Sequence, residues 1–356
     1  MFHDTFNAAY IDEKKLLPFQ CNSRQSSFEL LRLISMFFIV LYHFLRWFVQ
    51  DNPSHVDLKA LWLPLHVGVI CFVLISGYFR IKPSSKGFVR LIVTVLVYSL
   101  PWMVVEIKNA SDWHDVVHAS MFISKTNYWF VRTYVGLYLV SPLINGFLDH
   151  SSVKAKWYLL AVTGIISVYL GNLTRYGLYE DGKNLINFIF LYQLGHMLSL
   201  RSEQWKKIKL WKLLSAYMLL NVLLVLAYYY TSATAFGDLL WRLSYPYSSP
   251  ILIANAVLLF VVVGHKTFMS PFLNCLSAGV FAVYLIHGSF PLATDFQRQI
   301  VSAVFPYAGN YMFFIGILIV MSVAVILLCL LVNKLLTPVW RVSDYVGNRV
   351  YKRLGF

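Results

Sequence analysis

Residues 26–46 read SSFELLRLISMFFIVLYHFLR, an apolar stretch long enough to cross a bilayer that still carries Arg32 and His43. An ionisable side chain inside a membrane helix costs about 2.5–3.5 kcal/mol on insertion scales, so by default it marks a functional site. On an α-helix the spacing of the two residues amounts to three turns plus about 20° and a rise of roughly 16 Å. Both therefore lie on one stripe at different depths. Ser26 and Glu29 fit a capping box, which predicts where the helix begins.

The composition excludes an ordinary soluble protein, because 58% of the 356 residues are hydrophobic and only 13% are charged. We predict an all-α, polytopic membrane protein with about ten transmembrane helices. The predicted spans are 29–49, 62–79, 91–107, 129–147, 157–171, 184–200, 211–230, 247–264, 275–291 and 311–332. One transmembrane domain, 29–332, is expected between a cytoplasmic N-terminal segment, 1–28, and a basic cytoplasmic tail, 333–356.

The net charge of +14 would suit nucleic-acid binding in a soluble protein. Here most of the 30 Lys and Arg residues fall on the side of the membrane that also holds the N-terminus. The positive-inside rule therefore places both termini in the cytoplasm. We expect a multi-pass protein of the cell membrane whose partner is the lipid bilayer and not nucleic acid.

Four segments carry a family resemblance. They are FELLRLISMFFIVLYHF (28–44), CFVLISGYF (71–79), YWFVRTYVGLYLVSPLI (128–144) and LSAGVFAVYLIHG (276–288). Together they resemble, in order, the acyltransferase 3 family of integral-membrane enzymes that acylate surface glycans. The family's arginine, ten intervening residues and a histidine match here as Arg32 and His43. The third segment resembles the helix with Trp-Phe followed by Tyr-x-x-x-Pro, and the fourth the late Tyr-Leu-x-His helix.

The resemblance implies a membrane O-acyltransferase, in the first instance an O-acetyltransferase for polysaccharide modification. Its donor substrate is acetyl-CoA or another acyl-CoA, with no permanently bound cofactor. Its acceptor is a hydroxyl of a cell-surface or lipid-linked glycan. The alternative is a non-enzymatic transporter or flippase of glycans or lipid-linked sugars, which would use the same aromatic and cationic lining to move its substrate.

His43 and Arg32 are the predicted catalytic residues, and His43 is the one that carries the chemistry. A neutral imidazole can take the proton of a sugar hydroxyl as its oxygen attacks a thioester, which is general-base chemistry near neutral pH. The same ring can instead carry the acyl group transiently as a nucleophile. The sequence leaves both routes open. The structural alternative is a histidine that bonds to a neighbouring helix.

Arg32, Ser76 and Arg80 are the predicted donor-binding residues. A guanidinium group binds phosphate through two parallel hydrogen bonds, and the second span should return Ser76 and Arg80 to the level of Arg32. The separation of roughly 16 Å between Arg32 and His43 then matches the reach of a pantetheine arm. Each has a structural alternative: an ion pair with Glu29 for Arg32, a Ser76-Gly77 small-residue pair for helix packing, and an ordinary basic loop for the segment that contains Arg80.

Trp129, Arg132 and His287 are the predicted acceptor-binding residues. Trp129 offers a ring on which a sugar can stack, although aromatic residues also form the interfacial belt of membrane proteins. His287 lies about as deep as His43 and is either a second catalytic histidine or a helix–helix hydrogen-bond partner. His66 and His196 lie near helix ends and are assigned structural roles. No metal site is predicted, because His114 and His118 have helical spacing without a third ligand.

Overall fold

A computed structural model describes residues 24–123, 128–174, 180–288, 291–307 and 310–354. Over these residues the chain is helical and contains no strand. The helices are α1 (Ser26–Asp51), α2 (Val56–Ala60), α3 (Trp62–Leu65), α4 (Gly68–Phe79), α5 (Ser85–Lys108), α6 (Trp113–Ser120), α7 (Trp129–His150), α8 (Val153–Gly164, continued as a π-helix over Ile165–Leu173), α9 (Leu185–Leu200), α10 (Ser202–Trp205), α11 (Leu210–Thr231), α12 (Ala235–Ser244), α13 (Pro250–Gly264), α14 (Pro271–Ser277), α15 (Val280–His287), α16 (Pro291–Val304), α17 (Tyr311–Leu335) and α18 (Thr337–Leu354). The prediction of an all-α polytopic membrane protein is confirmed.

Every predicted apolar segment coincides with a helix or a broken pair of helices. Within the described part of the chain, six helical stretches have the length and apolar character to cross a membrane: Ser26–Asp51, Val56–Phe79, Ser85–Lys108, Val153–Leu173, Leu210–Thr231 and Tyr311–Leu335. Three further apolar helical stretches are shorter: Leu185–Leu200, Pro250–Gly264 and Pro271–His287. The total of ten spans and the cytoplasmic position of both termini stay predictions.

The stretches α1 and Val56–Phe79 form the centre of the bundle. Their most apolar windows are 56% and 72% buried, whereas those of α11 and α17 are 11% and 22% buried. An apolar helix that leaves most of its surface uncovered by protein is suited to contact with lipid tails. The bundle therefore places α1, which carries both predicted functional residues, away from the lipid.

Two glycines bring α4 and α9 into backbone contact. A Cβ atom at Gly77 would fall 1.9 Å from the carbonyl oxygen of Tyr192, and one at Gly195 would fall 2.2 Å from that of Leu74. Any larger residue at either position would force the helices apart. Close approach through small residues is a common way for membrane helices to associate. Gly77 thus serves helix packing, one of the two roles predicted for the Ser76-Gly77 pair.

The predicted capping box at the start of α1 is wrong. The N-cap is Gln25, and its side chain makes no capping hydrogen bond. The Ser26 hydroxyl instead donates to Oδ1 of Asn274 on α14 at 2.7 Å, and the Glu29 carboxylate accepts from Ser277. Both polar side chains therefore join α1 to α14. These contacts between helices take the place of the predicted capping box.

Residues 333–356, predicted as a basic tail, include α18, which packs along α5. Trp340 is buried, and its ring lies 5.7 Å from that of Tyr98. Closer to the start of α5, Arg90 lies 3.6 Å from Asp344. The described part of this segment is therefore joined to the transmembrane domain by both apolar and ionic contacts.

Candidate functional site

One face of α1 lines two cavities. The Arg32 cavity, about 230 Å³, is lined by Arg24, Arg32, Met36, Ile39, Val69, Phe72, Ser76, Leu91, Phe130, Tyr134, Ser277, Ala278, Val280, Phe281 and Tyr284. The His43 cavity, about 480 Å³, is lined by Tyr42, His43, Arg46, Trp47, His66, Trp129, Asp181, Lys183, Tyr245, Tyr247, Tyr284, His287 and Gly288. Tyr284 of α15 lines both cavities.

The stripe predicted on α1 is the face that lines these cavities. Arg32, Met36 and Ile39 line the first cavity, and His43 and Arg46 line the second. The steps between successive members are four, three, four and three residues, which is the spacing of one helix face. The stripe extends one turn beyond His43 and includes Arg46, which the sequence analysis did not single out.

His43 is hydrogen-bonded to His287 across the bundle. Nδ1 of His43 lies 3.1 Å from Nε2 of His287, and Nδ1 of His287 lies 2.6 Å from the carbonyl oxygen of Val283, one turn earlier on α15. His287 is only 1% exposed. The structure thus brings together the two intramembrane histidines that the sequence places at similar depth.

The Val283 carbonyl determines the direction of this chain of hydrogen bonds. A carbonyl oxygen only accepts, so Nδ1 of a neutral His287 carries the proton and its Nε2 is an acceptor. His43 must then donate from Nδ1, which leaves the lone pair on its own Nε2. Within the described residues no protein group binds that Nε2, and His43 lines the cavity. A second hydrogen bond that sets the tautomer of a functional histidine is a recurring arrangement.

His66 lines the same cavity, although its position near a helix end gave it no special role in the sequence. Its Nδ1 lies 2.8 Å from the carbonyl oxygen of Tyr245, and its ring stacks on those of Tyr42 and Tyr245 at 4.9 and 4.4 Å. The Tyr42 hydroxyl is bonded to that of Tyr245 at 2.5 Å. His66 therefore forms part of a rigid aromatic wall close to His43.

Aromatic rings and charges form the rest of the His43 cavity. Trp129 lies 5.0 Å from Tyr247, and the ammonium group of Lys183 lies 5.9 Å from the Trp129 ring. Lys183 also lies 3.9 Å from Asp181. Such a lining presents ring faces and polar groups together, which suits a polar molecule with an apolar face, such as a sugar.

Arg32 is held by Glu29, as the i+3 spacing predicts. The Arg32 guanidinium donates to Glu29, whose carboxylate is 3% exposed and also lies 3.8 Å from Arg24. The Ser277 hydroxyl donates to the other carboxylate oxygen. One buried carboxylate thus orients two guanidinium groups at the Arg32 cavity. The three groups together keep a net positive charge.

Ser76 lies with Arg32 and Arg80 does not. The Ser76 hydroxyl donates to the carbonyl oxygen of Phe72 at 2.9 Å and lies 3.3 Å from the Tyr134 hydroxyl, at the Arg32 cavity. Arg80 follows α4 with a positive φ of 61°. Its guanidinium group points to Asp149, with an Nη2–Oδ2 distance of 2.8 Å.

The hydrogen bonds of Arg80 indicate a structural role, in which its guanidinium group links the end of α4 to α7. Its Nε donates to Oδ1 of Asn145 at 3.2 Å, and its Nη2 donates to the Asn145 carbonyl oxygen. The Asn145 amide in turn donates to the carbonyl oxygen of Ile81 at 2.8 Å. These bonds fix the connection after α4 to α7, so the charge of Arg80 is already paired outside both cavities.

Of the three predicted acceptor-binding residues, two line a cavity and one does not. Trp129 and His287 line the His43 cavity, whereas Arg132 is exposed and lines neither cavity. Lys183, from the segment that precedes α9, supplies the second cation instead. No periodic pattern marks Lys183, since it lies outside the apolar segments.

Comparison with known protein families identifies the family of the chain. The family model for the acyltransferase 3 family, described as an acyltransferase domain, matches residues 25–334, which is nearly the whole chain and includes every residue that lines the two cavities except Arg24. The chain belongs to the acyltransferase 3 family. It is a membrane acyltransferase, as the family resemblance predicted. No curated protein and no solved structure gave a significant match.

Proposed function

We propose that this membrane acyltransferase transfers an acyl group from acyl-CoA to a hydroxyl of a cell-surface or lipid-linked glycan. The proposed acyl group is acetyl. The observation that carries the proposal is the His43–His287 hydrogen bond at one of two cavities that share Tyr284. It supplies an oriented base next to an aromatic cavity, while the other cavity presents arginine at an apolar slot. The cell membrane is the proposed location.

The donor enters at the Arg32 cavity. Arg32 and Arg24 attract the phosphates of coenzyme A, since guanidinium groups form strong charge-assisted bonds to phosphate. The apolar side chains of Met36, Ile39 and Phe72 suit a flexible pantetheine arm. Ser76 offers a hydroxyl to the same arm. Because the stripe on α1 continues from this cavity to His43, the thioester is directed toward the base.

The reaction takes place at Nε2 of His43. This nitrogen accepts the proton of the acceptor hydroxyl as the oxygen attacks the thioester carbonyl carbon. The carbon–sulfur bond then breaks, and the coenzyme A thiolate leaves and takes the proton from the imidazolium. His287 is a positioning residue: through its bond to Nδ1 it keeps the lone pair of His43 directed at the cavity. In a two-step route the acyl group would rest on the same Nε2.

The test is transfer by the purified full-length chain in detergent, with labelled acetyl-CoA and a panel of glycan acceptors. We expect transfer by the wild type and a loss of about a thousandfold in His43→Ala, because a general base contributes about 10²- to 10⁴-fold. Substitution of His196 by Ala is the matched control. That residue is also buried, has no hydrogen-bond partner for either ring nitrogen among the described residues and lies outside both cavities.

Three results would contradict the proposal. They are no transfer, hydrolysis or binding of acetyl-CoA by the wild type; normal transfer by His43→Ala; and an equal loss in His196→Ala with unchanged thermal unfolding. Mass spectrometry of the quenched enzyme separates the two routes, since an acetyl group on His43 would indicate the two-step reaction.

A further inference from the structure

Two arginines contact Trp47, and they differ in their partners. The guanidinium carbon of Arg298 lies 4.9 Å from the Trp47 ring centroid, and its Nε lies 3.1 Å from Asp51. The guanidinium carbon of Arg46 lies 5.4 Å from the same centroid. Among the described residues, no carboxylate oxygen lies within 4.0 Å of Arg46. Arg298 is therefore paired with a carboxylate, whereas no described carboxylate pairs with Arg46.

The position of Arg46 places its charge at the His43 cavity. It is half-buried, lines the His43 cavity and lies one turn beyond His43 on the same stripe of α1. The one carboxylate in the described lining, Asp181, lies next to Lys183 at 3.9 Å. Topology does not account for Arg46, because the positive-inside rule disfavours a cation at the end of α1 that faces outward in the predicted orientation.

Removing a cation from water has a cost that an anionic partner offsets, so a half-buried arginine at a cavity is suited to binding an anion. We propose that Arg46 binds an anionic group of the acceptor, a carboxylate or phosphate attached to the sugar whose hydroxyl is acylated. The inference rests on the proposed glycan acceptor and narrows it to an acidic one. The aromatic wall holds the ring, and Arg46 fixes its anionic substituent within one helical turn of the base.

The experiment measures binding and needs no acyl donor. The full-length chain in lipid nanodiscs is titrated with matched pairs of oligosaccharides: a glucuronate-containing chain against its glucose counterpart, and a phosphorylated sugar against the free sugar. Calorimetry gives the dissociation constants. We expect at least one acidic member to bind about tenfold or more tightly than its neutral partner, because hydrogen bonds to charged groups are the stronger class. The pair that shows the preference identifies carboxylate or phosphate.

The variants assign the preference to Arg46. We expect Arg46→Gln to remove it, Arg46→Lys to retain part of it, and the matched control Arg298→Gln to leave it unchanged. Thermal unfolding of each variant confirms that the fold is intact. Failure of every acidic member to bind more tightly than its neutral partner, or a preference that survives Arg46→Gln, would overturn the inference.

Turnover separates this inference from the proposed function. Acetyl-CoA hydrolysis is measured on the same preparations, and its absence counts against the transferase and not against acid recognition. If Arg46→Gln lowers kcat equally with acidic and neutral acceptors while binding is unchanged, the charge acts on the reacting carbonyl and the inference is wrong.

Discussion

The two cavities on α1 are built from opposite kinds of side chain. The Arg32 cavity has apolar walls and a guanidinium group that Glu29 already holds. The His43 cavity has aromatic and hydroxyl-bearing walls, and Arg46 there lacks a carboxylate within 4.0 Å among the described residues. An apolar slot with a charged mouth suits a long flexible donor, and an aromatic polar chamber suits a sugar. Under the proposed function, the difference assigns one substrate to each cavity.

The sharpest test of this comparison lies at His287. In His287→Leu, Nδ1 of His43 loses its acceptor, so the ring is no longer held with Nε2 toward the cavity. We expect kcat to fall by about 10- to 100-fold, the effect usual for a residue that orients a functional ligand, while KM for acetyl-CoA changes little. His287→Gln places an amide oxygen near the lost Nε2, and we expect it to restore part of kcat.

The measurement is steady-state kinetics of both variants with acetyl-CoA and one accepted glycan. Thermal unfolding distinguishes a loss of positioning from a loss of fold. A role confined to packing would leave Gln and Leu equally impaired, and that result would contradict the assigned chain of hydrogen bonds. A larger effect on KM for acetyl-CoA than on kcat would place the donor, and not the base, next to His287.

The sequence predicted the first helix, and it singled out Arg32 and His43 because an ionisable group in an apolar helix is conspicuous. His287 was found in the same way, from its depth in an apolar helix. Arg46 follows from the three-and-four spacing that links Arg32 to His43, although its position near the helix end made it resemble an ordinary boundary charge. Lys183 and Tyr245 had no such signal, since they lie on irregular or short elements that only tertiary packing brings to the cavity.

Arg80 shows the converse case. Arg80 follows Ser76 by four residues, so a continuous helix would place it near the depth of Arg32. However, the helix ends at Phe79, and Arg80 adopts a positive φ. The side chain therefore turns toward Asp149, more than sixty residues later in the chain. A helix end is the least predictable part of a helix from sequence, and one residue beyond it decides where a charge points.

Arg32 and Arg80 together test which cation serves the donor. In Arg32→Ala we expect KM for acetyl-CoA to rise about tenfold with a smaller change in kcat, because a charge-assisted hydrogen bond to the donor is lost. In the matched variant Arg80→Ala we expect less than a twofold change in KM, since that guanidinium is paired with Asp149. The opposite order of the two effects would move the donor phosphates from the Arg32 cavity to the connection after α4.

The smallest effect is expected at Tyr284, which lines both cavities. It lies edge-to-face with Phe130 at 5.4 Å and stacks on Phe281 at 6.4 Å. In Tyr284→Ala the two cavities join, so water reaches the thioester from the acceptor side. We expect acetyl-CoA hydrolysis without acceptor to rise about threefold relative to transfer, since a closed site suppresses such side reactions.

Two control variants show whether the ring itself divides the cavities. Tyr284→Phe keeps the ring, and we expect its ratio of hydrolysis to transfer to stay near that of the wild type. Phe281→Ala removes a neighbouring ring that lines only the Arg32 cavity, so it should not open a path to the His43 cavity. An equal rise in Phe281→Ala would mean that general loosening, and not the loss of a partition, admits water. A rise confined to Tyr284→Ala would mean that one aromatic ring keeps the two cavities apart, although the same face of α1 lines both.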